Sequence, residues 1–208
     1  MVKAEIIQKY FPEISNSAYQ KIQRLYDIYF SLNEKVNLIS RKDFDNFYIH
    51  HVLHSLSLAK TCTFPKGSKV LDIGTGGGFP GIPLAIFYPE IHFILADSIG
   101  KKIRAVQEVA DILELDNVTA LNTRIESLQA KVDIVVARAV APAVELYTWV
   151  LGKWAAAPCF YLLKGGDLTM EMQELQSIAP KLRIKEIPIS DYFSEPFFET
   201  KKVIQIQG

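Results

Sequence analysis

The period of the apolar positions changes near Pro65-Lys66-Gly67, so the chain reads differently on either side. Before that point the pattern is helical. Ile6, Ile7, Tyr10 and Phe11 fit a short helix stopped by Pro12. Between residues 17 and 36, Ile22, Leu25, Ile28, Tyr29, Leu32 and Val36 recur close to the helical period. Asp43 is placed to cap a third helix running to about residue 60, with Phe44, Phe47, Tyr48, Val52, Leu56 and Leu58 as its apolar positions.

Beyond residue 65, short apolar runs alternate with helical segments. The pattern predicts strands over 69–73, 91–96, 118–121, 132–137 and 159–163, and helices over 82–88, 100–113, 142–149 and 168–178. Runs 182–187 and 203–206 have no helix between them and suit an antiparallel edge hairpin. Strands alternating with helices imply a parallel sheet covered on both faces. The expected fold is α/β and Rossmann-like: a mostly parallel sheet, an antiparallel C-terminal edge hairpin and a helical N-terminal cap. We expect a single domain over 1–208, with the cap at 1–64 and the core at 65–208.

Composition narrows the class. With 49% hydrophobic residues in 208, the chain can bury one good core. No apolar run approaches membrane-spanning length, and the first residues lack a secretory pattern. Cys62 and Cys159 lie far apart without metal-ligand spacing, which reads as two buried reduced thiols. A cytoplasmic protein is expected, and nothing demands more than a monomer. The 23 basic residues balance the 23 acidic ones. That counts against non-specific coating of nucleic acid but leaves room for a local basic footprint.

The candidate chemistry sits at Val70-Leu71-Asp72-Ile73-Gly74-Thr75-Gly76-Gly77-Gly78-Phe79-Pro80-Gly81. A β-branched run ends in an acid, and a glycine-dense turn leads into a helix. This puts bare backbone at the carboxyl end of a strand, where cofactors bind. Gly74, Gly76 and Gly78 lack β-carbons, so a ligand can approach the main chain. A phosphate gains nothing from Asp72 just before the glycines, whereas a cofactor carrying positive charge does. Asp97 ends the second strand, where an acid can accept hydrogen bonds from ribose hydroxyls. Little chain remains for the substrate domain of a dinucleotide enzyme. Together these features resemble the S-adenosylmethionine pocket of class I methyltransferases, with Asp72 near the cationic amino group of the methionine end.

The segment 72–83 also resembles the glycine loop of the RsmG family (older name GidB). The resemblance extends to Asn37-Leu38-Ile39-Ser40, His51, Ser55, Asp97-Ser98, Lys101-Lys102, Arg124, Glu126, Ala137-Arg138-Ala139 and Leu163-Lys164-Gly165, in the family's order. It implies methylation of the 7-position nitrogen of one guanosine in 16S ribosomal RNA, with S-adenosylmethionine as donor. It further implies that Gly74 and Phe79 contact the cofactor, Asp97 and Ser98 hold its ribose region, and Ile125 and Glu126 flank the adenine. Arg138 would reach the site from the fourth strand. Arg138 and Lys164 are positioning candidates, directed at phosphate or at the cofactor carboxylate. Two positions depart from the family's usual residues: His54, where many members have an acid, and Gly77, where many have proline.

Contacts to RNA, naked or in the small ribosomal subunit, are expected from Arg41, Lys42, His51, Lys101, Lys102 and Arg104. Lys201-Lys202 is a further basic pair. His50, His51 and His54 suit packing or RNA contact better than zinc, since no metal is needed for methyl transfer. Two other readings stay open at this level: a class I methyltransferase for a small molecule or protein, and a nucleotide-binding regulatory module without catalysis.

Overall fold

The computed structural model describes residues 3–208. Helices α1 (Glu5–Tyr10), α2 (Asn16–Asn33) and α3 (His54–Thr61) precede a seven-stranded sheet. The strands are β1 (Lys69–Ile73), β2 (His92–Asp97), β3 (Val118–Asn122), β4 (Ile134–Arg138), β5 (Cys159–Gly165), β6 (Arg183–Pro188) and β7 (Lys201–Gln207). Their order in space is β3-β2-β1-β4-β5-β7-β6. The first five run parallel, and β7 is antiparallel to both β5 and β6. The edge pair is therefore present, but β7 inserts beside β5 and β6 forms the rim. Burial explains the choice: Val203, Ile204 and Ile206 are sealed, whereas β6 is mostly exposed. Among the described residues, no helix is long and apolar enough to cross a membrane.

Alternation along the strands sorts side chains to two faces. Val70, Phe93, Leu95, Ile134 and Val136 pack with the N-terminal helices, α4 (Gly81–Phe87) and α5 (Gly100–Ile112). Leu71, Ile73, Ile94, Val135 and Ala137 face α6 (Ala143–Trp149) and α7 (Thr169–Ile178). By the same alternation Asp72 points to the cap side. The order reverses between β1, β2 on one side and β4 on the other, so a crevice opens at the carboxyl ends of these strands.

The cap departs from the expected third helix. Residues Arg41–Asn46 form a 3-10 turn, Tyr48–Leu53 a π-helical turn, and only then does α3 begin. Asp43 caps nothing; its carboxylate is engaged by two histidines instead. Asn33 ends α2 and holds the next loop, donating to the Ile39 carbonyl at 2.9 Å and accepting from the amides of Leu38 (2.7 Å) and Ile39 (3.0 Å). Phe44, Phe47 and Tyr48 are core residues.

Gly81 opens α4 hard against the sheet. A β-carbon there would overlap Leu95 Cδ2 and lie 2.8 Å from Asp72 Oδ2. Gly81→Ala is expected to cost ~1–3 kcal/mol through overpacking. The check is a lower urea midpoint with an unchanged slope; an unchanged midpoint would show that the strand and helix can separate freely.

Candidate active site

A cleft of about 340 Å³ opens at the crevice. Gly74 borders it from the turn after β1, Asp97 and Ser98 from the end of β2, and Ile125 and Glu126 from the turn after β3. Val140 and Trp149 complete an apolar wall with Ile73. The cleft thus gathers five residues expected from the sequence. It adds Thr123, Arg124, Ala139, Val140 and Trp149. Of these only Arg124 and Ala139 belonged to a recognisable motif; the others carry no local signal.

The glycine turn requires its residue type at specific points. Gly74 has φ +60°, and a β-carbon there would stand 2.8 Å from the Val140 methyls. Gly76 has φ +58°, the left-handed region that favours glycine, and a β-carbon there would meet only the Gly74 carbonyl, at 3.9 Å. Its amide donates to Asp97 Oδ2 at 3.0 Å, while the Ile99 amide donates to Asp97 Oδ1 at 2.8 Å. Asp97 therefore fixes the turn to the end of β2 and stays at the cleft edge. Gly78 instead backs onto Tyr29 and Ile82. Ala139, without glycine's freedom, has φ +54° directly after β4. Such a residue costs about 1–3 kcal/mol, and strain of this kind concentrates at functional sites.

Asp72 lies beneath the cleft and does not border it. Its side chain is fully buried. Oδ2 accepts from Thr75 Oγ1 at 2.6 Å and from the Gly81 amide at 2.9 Å, and Oδ1 has no partner. Burial pushes its carboxyl up to about 7, against the pull of the Thr75 and Gly81 hydrogen bonds and of Arg138. The expectation of a carboxylate presented to a ligand amine is corrected: alternation buries it, and it braces the glycine turn against α4.

Phe79 and Arg138 also turn toward the cap. The Phe79 ring is buried beside Tyr29, 5.0 Å between centroids, and the Arg138 guanidinium lies 5.2 Å over it. Arg138 donates to the His50 carbonyl at 3.0 Å and meets His51 Nδ1 at 3.2 Å. Arginine only donates, so Nδ1 accepts and the His51 proton resides on Nε2. That proton is given to Asp43 Oδ2 at 2.6 Å, while Asp43 Oδ1 meets His50 Nδ1 at 2.5 Å. Burial, with Arg138 adding to it, holds His51 down to about 4. Burial likewise pulls Arg138 down to about 10, resisted by Asp72, Tyr29 and Asp43. His51, expected at RNA, is an interior link of this chain. His54 is buried against Phe197 and Phe198, its Nε2 without a partner and its charged form strongly disfavoured by burial.

Lys164 is not free to reach a ligand. It donates to the Ala141 carbonyl at 2.7 Å and pairs with Glu171 at 2.7 Å. Glu171 also accepts from the Ala143 amide at 2.7 Å. Lys164 thus fastens the loop after β4, a correction to its expected role, because its partners come from that loop and from α7. Arg41, Lys42, Lys101 and Arg104 are exposed and Lys102 is half-buried. Lys202 pairs with Glu186 at 2.9 Å, and Lys201 lies 5.0 Å over the Phe197 ring.

Residues 18–192 match the family described as GidB, rRNA small subunit methyltransferase G. A ribosomal RNA small subunit methyltransferase G of Christiangramia forsetii is 46% identical over 208 residues, covering 97% of this chain and 96% of that protein. A protein of the same name from Bacteroides thetaiotaomicron is 45% identical over 205 residues, covering 98% and 99%. Among solved structures, an Aquifex aeolicus SAM-dependent methyltransferase aligns with TM-score 0.57 at 14% identity, over 74% of this chain and 88% of its own. TYW2 of M. jannaschii in complex with AdoMet aligns with TM-score 0.56 at 13% identity, over 82% and 77%. At such identities the structures support the fold alone.

The buried Asp72 makes stability depend on pH. Its folded pKa of about 7 exceeds the unfolded value of about 3.9, so the folded state keeps a proton that the unfolded chain releases. Stability from this group falls as pH rises from about 4 to 7, by at most about 1.4 kcal/mol per pH unit. The depressed histidines act oppositely, so the Asp72→Asn variant isolates the effect. Urea unfolding should show the variant gaining relative to wild type between pH 5 and pH 8. An equal difference at both pH values would show that Asp72 ionises freely.

Proposed function

Because the chain belongs to the GidB family of small-subunit rRNA methyltransferases, we propose that it methylates the 7-position nitrogen of one guanosine in 16S ribosomal RNA, with S-adenosylmethionine as donor. The observation that carries the chemistry is the cleft at the sheet's reversal point, bordered by a bare-backbone turn and the Asp97 carboxylate. The residues present fit this cofactor. Asp97 accepts one amide on each oxygen and has acceptor capacity left for ribose hydroxyls, with Ser98 beside it. Ile125, Val140 and Trp149 offer apolar surface to a purine, and Glu126 an acceptor to its amino group. Gly74, which has no β-carbon, presents bare main chain at the border of the cleft. Arg138 would meet the methionine carboxylate with the donors that the cap leaves free.

When bound, this cofactor supplies a methyl group already activated by a sulfonium. Guanine's 7-position nitrogen has an in-plane lone pair and no proton to lose, so the chain needs no general base. Its contribution is alignment of the two reactants. An RNA substrate places the activity in the cytoplasm, where ribosomal subunits are assembled.

Two measurements test this reading. Labelled donor with small-subunit RNA or subunits lacking the modification should yield one labelled guanosine on mapping; no transfer to either would refute the substrate. Arg138→Ala should weaken S-adenosylhomocysteine roughly 10- to 100-fold by loss of a charge-assisted bond. Methylthioadenosine, which lacks the carboxylate, should bind as before. Equal loss for both ligands would remove the carboxylate from Arg138.

A further inference from the structure

Two hollows run side by side across the outer face of the cap. One, of about 440 Å³, is lined by Phe30, Asn33, Glu34, Arg41 and Phe44. The other, of about 630 Å³, shares Asn33, Glu34 and Arg41 and extends past Leu38 to Lys101. At the outer end the Phe30 ring is 54% exposed. It is held in place by stacking on Tyr26, 6.1 Å and 14° between planes, and by an edge contact with Phe44 at 5.7 Å. At the inner end the Leu38 carbonyl abuts Gly77 of the glycine turn, 3.1 Å from where a β-carbon would be. Lys101 stands in the first turn of α5, shortly after Ser98 at the cleft. The surface therefore leads from an exposed ring to the rim of the candidate site. Its wall is stiff, because the Asn33 side chain holds the loop by three hydrogen bonds.

The charges along it are distinctive. Lys35, Arg41 and Lys101 line the hollows, and among the described residues none makes an ion pair or a side-chain hydrogen bond. Glu34 is the one acid lining them. In a chain of net charge zero, this is a local excess of unsatisfied cations beside a pre-positioned aromatic face. Every nucleobase has a face that stacks on such a ring, and phosphates seek unpaired cations. A duplex hides those faces, so the partner must be unpaired.

We propose that this groove holds a single-stranded segment of the RNA substrate, one base stacked on Phe30 and its phosphates facing Arg41, Lys35 and Lys101. The proposal rests on the RNA reading above and names the surface that serves it. Phe30→Ala should raise KM for small-subunit RNA roughly tenfold, the scale of one base–aromatic stack, while Phe30→Tyr restores it. Arg41→Gln and Lys101→Gln should each reduce the salt dependence of single-stranded RNA binding by about 0.7 in log–log slope, without changing affinity for S-adenosylhomocysteine. A photo-crosslinker (p-benzoylphenylalanine) at position 30 should label RNA when irradiated with the small subunit.

Unchanged KM in Phe30→Ala, unchanged salt slopes, or a crosslink to a ribosomal protein would each overturn the groove assignment. These results are interpretable where the wild type methylates small-subunit RNA. If it methylates none, the functional reading itself fails, and the groove proposal falls with it.

Discussion

A buried guanidinium joins the helical cap to the sheet, and the surroundings of the cleft depend on that join. Arg138 ends β4, yet its hydrogen bonds go to His50 and His51 in the π-helical turn of the cap. A desolvated cation without partners would cost several kcal/mol. Here the His50 carbonyl, the His51 ring nitrogen and the Phe79 face share the load, and Asp43 fixes the His51 tautomer from behind. The unusual π-helical turn presents two consecutive histidines to one carboxylate while offering a carbonyl to the arginine. Moving the cap would unpair all of these groups together.

A second tie works on the same joint from below. Tyr29 of α2 donates to the Gly77 carbonyl at 2.6 Å, and its ring packs on Phe79. Asp72 then holds the other end of the glycine turn to α4 through the Gly81 amide. The turn is thus clamped between cap and core, while Asp97 fixes its outer part to β2. A cofactor site on a loop gains precision when the loop is held on every side. The clamp also sets the distance between the cleft and the Phe30 groove, because the Asn33-supported loop abuts Gly77.

Much of this was legible in the order of residues. Strand positions, the alternation with helices and the antiparallel edge follow from local hydrophobic period. The glycine turn and Asp97 stood out because positive-φ corners and terminal acids leave a local mark. Besides His51, which is held between Asp43 and Arg138, three expectations needed correction for one shared reason. Asp43 looked like a helix cap, Asp72 like a ligand acid and Lys164 like a free cation, and each was claimed by a partner on another element. Trp149 and Val140 enter the cleft only because α6 and the loop after β4 fold over it.

By itself, then, the order of residues determined the class of fold, the corner where a ligand can meet bare backbone, and the family to which the chain belongs. Those properties arise from neighbours along the chain. Tertiary structure alone decided which charges face the cleft, which are sealed as braces, and where an aromatic ring stays open beside unpaired cations. The reason is physical: a charged group's role is set by its desolvation and its partners. For Arg138 those partners lie 87 and 88 residues away in the chain.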